Sequence, residues 1–154
     1  MVSHNRTDTC NIGRALATLL SPGDTVLLDA VMGCGKSELA RGIARGIGIT
    51  GNVPSPSFTI LNCYSEGRIP LYHFDWYRIA DETELYDIGA EEYIGGDGVC
   101  LIEWFENGPS LLPPNALRIS IVSTDDEERE ITFHCENFRI KIDEETLISL
   151  IQRL

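Results

Sequence analysis

Apolar and polar positions follow a helical period in two segments of the first third of the chain. In residues 7–20 and 36–47 the apolar side chains recur every three or four positions, with polar side chains between them. This period predicts two amphipathic helices. The apolar run at residues 25–28 lies between them and has the length of a buried strand. The first third therefore predicts a helix, a strand and a second helix.

The rest of the chain carries shorter apolar runs that are typical of strands. Two pairs of runs are joined by polar, turn-forming residues, and each pair predicts a hairpin. In chain order, strands are predicted at residues 58–64, 69–74, 99–102, 116–122 and 130–135, and helices at 81–92 and 143–154. A strand–loop–helix unit followed by hairpins predicts an α/β fold with a mixed sheet. The length of 154 residues suits a single domain spanning residues 1–154.

The loop between the strand and helix predicted in residues 25–47 has the composition of a phosphate-binding loop. It ends in Gly33-Cys34-Gly35 followed by Lys36 and Ser37. Glycines let successive backbone N–H groups surround phosphate oxygens, and the helix N-terminus adds partial positive charge. Lys36 would contact the β and γ phosphates, and the Ser37 hydroxyl would hold Mg²⁺. We therefore predict a P-loop NTPase-like fold with a mostly parallel sheet, flanking helices and a late β-hairpin, binding ATP and Mg²⁺.

Two strand-like runs end in an acidic residue, Asp75 after residues 71–74 and Glu103 after residues 99–102. A P-loop supplies one hydroxyl to Mg²⁺, so further carboxylates are expected at the ends of neighbouring strands. Both acids are candidates for catalysis, and their positions leave open which one contacts the metal. His73, inside an apolar run, is interpreted as a hydrogen-bonded core histidine, with a catalytic base as the alternative.

The charge of the chain narrows the classes of partner. Twenty-four Asp and Glu stand against twelve Lys and Arg, which gives a net charge of −12. Such a surface repels phosphate backbones, so independent binding to nucleic acid or to an anionic membrane is not expected. No apolar run is long enough for a transmembrane helix, and the N-terminus lacks the apolar core of a signal peptide. We expect a cytoplasmic protein.

The five cysteines are widely spaced and form no CxxC pair. We predict reduced thiols that are mostly buried. Cys34 is the exception, because a thiol beside a helix N-terminus and Lys36 is favoured as a thiolate. A bulky maleimide is expected to label Cys34 faster than Cys63 or Cys100.

Four motifs follow one another along the chain. Residues 33–37 read Gly-Cys-Gly-Lys-Ser, and residues 55–58 read Ser-Pro-Ser-Phe. Residues 73–78 then read His-Phe-Asp-Trp-Tyr-Arg, and Glu-Trp follows at 103–104. In this order and spacing, over roughly residues 9–104, the chain resembles the TsaE family. Its members are small bacterial ATPases required for making threonylcarbamoyladenosine on tRNAs that read codons beginning with A.

The resemblance implies an activity, two partner proteins and a set of site residues. It implies an ATPase that works with two partner proteins, TsaB and TsaD, and reaches tRNA only through them. It also implies that Asp75 is needed for activity and that Ser37 and Glu103 hold Mg²⁺. Ser55 and Ser57 would belong to a loop that responds to the nucleotide. The residues implied to bind the nucleotide are Thr9, Met32, Gly33, Cys34, Gly35, Lys36, Ser37, Ser55, Ser57 and Arg129.

Two other functions stay open on the sequence alone. A small-molecule kinase of the P-loop type usually carries arginines on a lid, but residues 81–97 contain neither Arg nor Lys. A nucleotide-gated interaction module that does not hydrolyse ATP is the second alternative. Its support is Ala30, which occupies the place of the first P-loop glycine.

Overall fold

The computed structural model describes residues 1–31 and 33–154, and Met32, which the resemblance assigns to nucleotide binding, lies outside them. Within the described residues the chain forms five α-helices and seven strands. The helices are α1 (Arg6–Ala17), α2 (Lys36–Ile47), α3 (Thr83–Asp87), α4 (Ala90–Tyr93) and α5 (Glu144–Ile151). The strands are β1 (Val2–Ser3), β2 (Thr25–Asp29), β3 (Leu61–Tyr64), β4 (Leu71–Asp75), β5 (Val99–Glu103), β6 (Leu117–Ser123) and β7 (Arg129–His134). Two single-turn 3₁₀ helices, Phe105–Asn107 and Pro109–Leu111, follow β5.

The strands form one mixed sheet in the order β1-β7-β6-β2-β5-β4-β3. The four central strands β6, β2, β5 and β4 run parallel. The outer strands β7, β1 and β3 are antiparallel to their neighbours. Because the central strands are parallel, their carboxyl ends meet at one edge, where ligands bind in open α/β sheets.

Hydrophobic clusters cover both faces of the sheet. On one face Leu28, Leu71 and Leu101 pack with α1, α2 and α5. On the other face Phe74 and Ile102 pack with Trp76 and with residues of the short helices α3 and α4. Side chains alternate between the two faces along a strand. His73, Asp75 and Glu103 therefore lie on the same face as Leu71 and Leu101, the face covered by α2.

The α/β fold with a mixed, centrally parallel sheet and a late hairpin is as predicted. Helix α2 has the predicted bounds, and β6 and β7 form the predicted hairpin. Helix α1 ends at Ala17, three residues before the predicted end. The predicted strand 58–64 begins only at Leu61, because Ile60 takes a left-handed φ of 67° that interrupts extended backbone.

Strand β1 was not predicted. It has two residues, too few for a hydrophobic period, and it exists by pairing with β7 near the other end of the described chain. Among the described helices, none has both the length and the apolar character needed to cross a membrane.

Candidate functional site

The loop that joins β2 to α2 has the backbone conformation of a phosphate-binding loop. Gly33 and Gly35 have φ values of 82° and 92°, in the left-handed region that favours glycine. Gly35 is also the N-cap of α2 and has no side chain with which to cap the helix. The N–H groups of the first turn of α2 therefore remain available to an anion, and the helix dipole favours negative charge there.

A cleft of about 250 Å³ lies beside this loop. Residues of α1, of the loop with the start of α2, and of the β6–β7 hairpin line it, so three separate parts of the chain build one site. The lining residues are Arg6, Thr9, Gly33, Gly35, Lys36, Ser37, Glu38, Glu127 and Arg129. Arginine and lysine side chains around a loop with exposed N–H groups suit a polyphosphate.

Lys36 lies between an acid and an aromatic ring. Its Nζ atom is 4.0 Å from Oε1 of Glu103, at the end of β5, and 4.8 Å from the ring centroid of Trp104. Trp104 adopts a left-handed φ of 55°, which is uncommon for a residue other than glycine. Lys36 is 9% exposed. Its ammonium group is therefore held near the sheet edge by a carboxylate and a cation–π contact.

Glu103 is buried and is held by a histidine. Its Oε2 atom is 2.7 Å from Nε2 of His73, which lies on the neighbouring strand β4. The sequence interpretation of His73 as a hydrogen-bonded core histidine is confirmed, and its partner is a candidate site acid. Each oxygen of Glu103 thus faces a different group, Oε2 facing His73 and Oε1 facing Lys36.

Asp75 lies beside Glu103, because the two residues are paired in the β4–β5 register. Two donors hold its carboxylate: the backbone N–H of Tyr77 at 2.9 Å and the Ser57 hydroxyl at 3.2 Å. The Ser57 hydroxyl is in turn 2.8 Å from that of Ser55. The Ser-Pro-Ser segment is thereby linked by hydrogen bonds to an acid at the edge of the sheet.

The β6–β7 hairpin reaches the phosphate loop through Arg129. Its Nε donates to the carbonyl of Cys34 at 3.1 Å, and its Nη1 donates to carbonyls of the hairpin turn, including those of Asp125 and Glu128. These bonds fix the guanidinium plane at the rim of the cleft. The hairpin therefore brings a cation to the phosphate loop from a distant part of the chain.

A protein-family model for the threonylcarbamoyl adenosine biosynthesis protein TsaE matches residues 3–131. The chain belongs to the TsaE family. The B. subtilis (strain 168) tRNA threonylcarbamoyladenosine biosynthesis protein TsaE is 45% identical over 129 residues, which are 84% of this chain and 80% of that protein. The Treponema pallidum protein of the same name is 42% identical over 131 residues, 85% of this chain and 96% of its own. The crystal structure of B. subtilis YdiB superposes with a TM-score of 0.79 at 37% identity, covering 99% of this chain and 93% of that one.

The described site residues expected from the sequence fall into two groups, and Glu103 and Cys34 each contact a residue of the first group. Thr9, Gly33, Gly35, Lys36, Ser37 and Arg129 line the cleft. Ser55, Ser57 and Asp75 form a chain of hydrogen bonds, and Glu103 faces Lys36. Cys34 contributes its carbonyl oxygen, which binds Arg129.

Three residues of the cleft, Arg6, Glu38 and Glu127, were missed in the sequence. A signal existed for two of them. Arg6 precedes Thr9 by three positions on α1, a spacing that places both on one helical face, and Glu127 precedes Arg129 by two. The contact between His73 and Glu103 had no sequence signal, because it depends on which strands pair.

The expected order of thiol accessibility was wrong. Cys34 is 5% exposed and Cys100 is buried, whereas Cys63 on the edge strand β3 is exposed. The small loop residue next to the helix N-terminus turns its side chain toward the core cluster rather than toward solvent. An edge strand has no neighbour on one side, and this leaves Cys63 accessible.

Proposed function

We propose that the chain binds and hydrolyses Mg·ATP and thereby supports the formation of threonylcarbamoyladenosine on tRNA, together with the proteins TsaB and TsaD. The observation that carries the proposal is the position of Lys36, Asp75 and Glu103 beside the glycine-rich loop. Phosphoryl transfer to water needs charge stabilisation around the phosphates and an oriented nucleophile. A lysine, two carboxylates and free helix N–H groups are suited to both tasks.

ATP binding is assigned to the loop and the cleft. The N–H groups at the start of α2 would bind phosphate oxygens, and Lys36 would move from Glu103 toward the β and γ phosphates. Arg129 would contribute a second cation from the hairpin side. Thr9 lines the same cleft, where its hydroxyl is 2.6 Å from that of Ser3. The triphosphate would thus lie between α1, α2 and the hairpin.

The side-chain oxygens of Ser37 and Glu103 are of the kind that magnesium takes as ligands. Mg²⁺ prefers hard oxygen ligands and usually takes one or two from protein, with the rest from water and phosphate. Ser37 and Glu103 would be those ligands, the first from α2 and the second from β5. When bound, the ion offsets the negative charge of the transferring phosphate.

Asp75 is assigned to the hydrolytic step. A carboxylate fixed by two donors can accept a hydrogen bond from water in one defined direction. One of those donors is Ser57, in the loop that also carries Phe58, a side chain 83% exposed. A change in this loop on nucleotide binding would change the donors on Asp75, so the same loop could report the nucleotide state to a partner protein.

The experiment compares ATP turnover by the chain alone and with TsaB and TsaD. Turnover should rise in the presence of both partners, and Asp75→Asn should lower it at least tenfold while ATP affinity changes little. Asp87→Asn serves as the control, because Asp87 is an exposed aspartate on α3. In cells, depletion of the protein should lower the threonylcarbamoyladenosine content of tRNA.

Three results would contradict the proposal. Tight ATP binding without turnover under all conditions would favour the non-hydrolysing module, and unchanged tRNA modification after depletion would remove the biological role. A phosphorylated small molecule as the product would favour the kinase.

A further inference from the structure

His73 is buried in the middle of β4 and contacts a candidate site acid on the next strand. It is 2% exposed, and Glu103 is 5% exposed. His73 is paired with Leu101 in the β4–β5 register, so Glu103 lies two residues farther along the neighbouring strand on the same face. This diagonal relation brings His73 Nε2 to 2.7 Å from Glu103 Oε2.

The hydrogen bonding assigns the proton of the imidazole. A carboxylate only accepts hydrogen bonds, so the nitrogen that faces Glu103 must be the donor. The other nitrogen, Nδ1, is buried and has no hydrogen-bond partner among the described residues. His73 is thus oriented with its Nε2–H toward Glu103.

We infer that His73 is a positioning residue, whose Nε2–H holds Oε2 of Glu103 and thereby limits Oε1 to a long contact with Lys36, so that Oε1 can turn to the metal and Lys36 to phosphate. In the structure Oε1 is 4.0 Å from Lys36 Nζ, the outer limit of an ion pair. Without the histidine, the glutamate side chain could rotate and close onto the lysine, since a buried carboxylate seeks a donor. That closed pair would withdraw both groups from Mg·ATP. The inference rests on the proposed function, because it gives Glu103 and Lys36 their ligands.

Removal of the donor separates positioning from packing. His73→Leu replaces the imidazole with an apolar side chain that has no hydrogen-bond donor. His73→Gln keeps an amide N–H at nearly the reach of Nε2. His73→Asn carries its N–H too close to the backbone to reach Glu103. Leu71→Ala is the matched control, because Leu71 is fully buried on the same strand and face and its truncation lowers stability without touching Glu103.

The readout is the affinity for ATP measured by calorimetry in Mg²⁺ and in EDTA, with circular dichroism to establish folding. The ratio of the dissociation constant in EDTA to that in Mg²⁺ reports how much the metal strengthens ATP binding. His73→Leu and His73→Asn should lower this ratio about tenfold or more, the usual effect of removing a group that orients a metal ligand. His73→Gln should retain most of the ratio, and Leu71→Ala should retain it despite a lower melting temperature.

The outcomes distinguish the inference from the proposed function. If the wild-type chain binds no ATP, the proposed function fails and the inference fails with it. If the wild type binds Mg·ATP and the folded His73→Leu or His73→Asn chain keeps the full ratio, the positioning role alone is overturned. Should His73→Leu not fold, the comparison of the asparagine and glutamine variants decides the question. Equal ratios in those two variants would contradict a role for the Nε2 donor.

Discussion

At the scale of single residues, lysine is scarce in this chain. Lys36 and Lys141 are the only two lysines, against ten arginines. Lys36 is buried between Glu103 and Trp104, whereas Lys141 is exposed. The two lysines therefore allow a comparison in which the chemical change is the same and the surroundings differ.

Lys36→Ala should weaken ATP binding at least tenfold, about 1.4 kcal/mol, because it removes the cation assigned to the phosphates. Calorimetry with Mg·ATP measures the change, and Lys141→Ala should bind as the wild type does. Equal affinities of the two variants would show that the nucleotide is not held at the loop that joins β2 to α2.

The thiols provide a second residue-scale prediction. Cys63 is exposed, although neighbouring atoms shield its thiol from part of the solvent, and this desolvation raises the pKa of the thiol. Burial raises the pKa of Cys100 to about 12, so its reactive thiolate is almost absent near neutral pH. We expect a bulky maleimide to modify Cys63 first and to leave Cys34 and Cys100 intact in the folded chain. Because thiolate forms as pH rises, labelling of Cys63 should accelerate above pH 7.

Peptide mapping by mass spectrometry measures the order of labelling, and Cys63→Ser is the control that should remove the early product. Early labelling of Cys34 would mean that the phosphate loop turns its thiol to solvent, contrary to the structure.

At the scale of elements, glycines allow α1 and α2 to approach closely. A Cβ atom added to Gly42 would lie 2.1 Å from the carbonyl oxygen of Cys10, and one added to Gly13 would lie 2.5 Å from that of Leu39. Both distances are far shorter than a van der Waals contact. Helix α2 begins at the phosphate loop, so this packing also sets the position of Lys36.

Gly42→Ala should therefore destabilise the fold, although alanine is the better helix former by about 1 kcal/mol. Overpacking of a rigid backbone contact costs about 1–3 kcal/mol or more, which outweighs the gain in helix propensity. Thermal or denaturant unfolding measures the difference. Gly51→Ala is the control, because its added Cβ would meet its nearest neighbour at an ordinary 3.5 Å. A Gly42→Ala chain as stable as the wild type would show that the helices separate at little cost.

At the scale of the whole molecule, the net charge of −12 opposes direct binding of tRNA. Four acids, residues 125–128, also follow one another at the β6–β7 turn, and one of them, Glu127, lines the cleft. We therefore expect a role in tRNA modification to be exerted through proteins that themselves bind the nucleic acid.

In a gel-shift assay at physiological salt, the chain alone should not retard tRNA, even at about 10⁻⁴ M, where nonspecific binders associate. Addition of TsaB and TsaD should produce a shifted complex. Retardation of tRNA by the chain alone would contradict the inference drawn from charge.

The amino-acid sequence by itself determined the local elements and the phosphate loop. Helix α2, the strands that end at Asp75 and Glu103 and the late hairpin follow from hydrophobic period and turn residues, which act over a few positions. The glycine–lysine–serine loop is also local, since it is a run of neighbouring residues whose backbone conformation glycine permits. For the same reason, these features were predicted within a few residues of their bounds.

Only the tertiary structure decided which distant residues meet. The pairing of β4 with β5 places His73 on Glu103, and the hairpin brings Arg129 to Cys34. Strand β1 depends in the same way on where β7 lies. Strand order and register are set by the burial of whole faces of the sheet, a property of the packed chain. No local pattern contains that information.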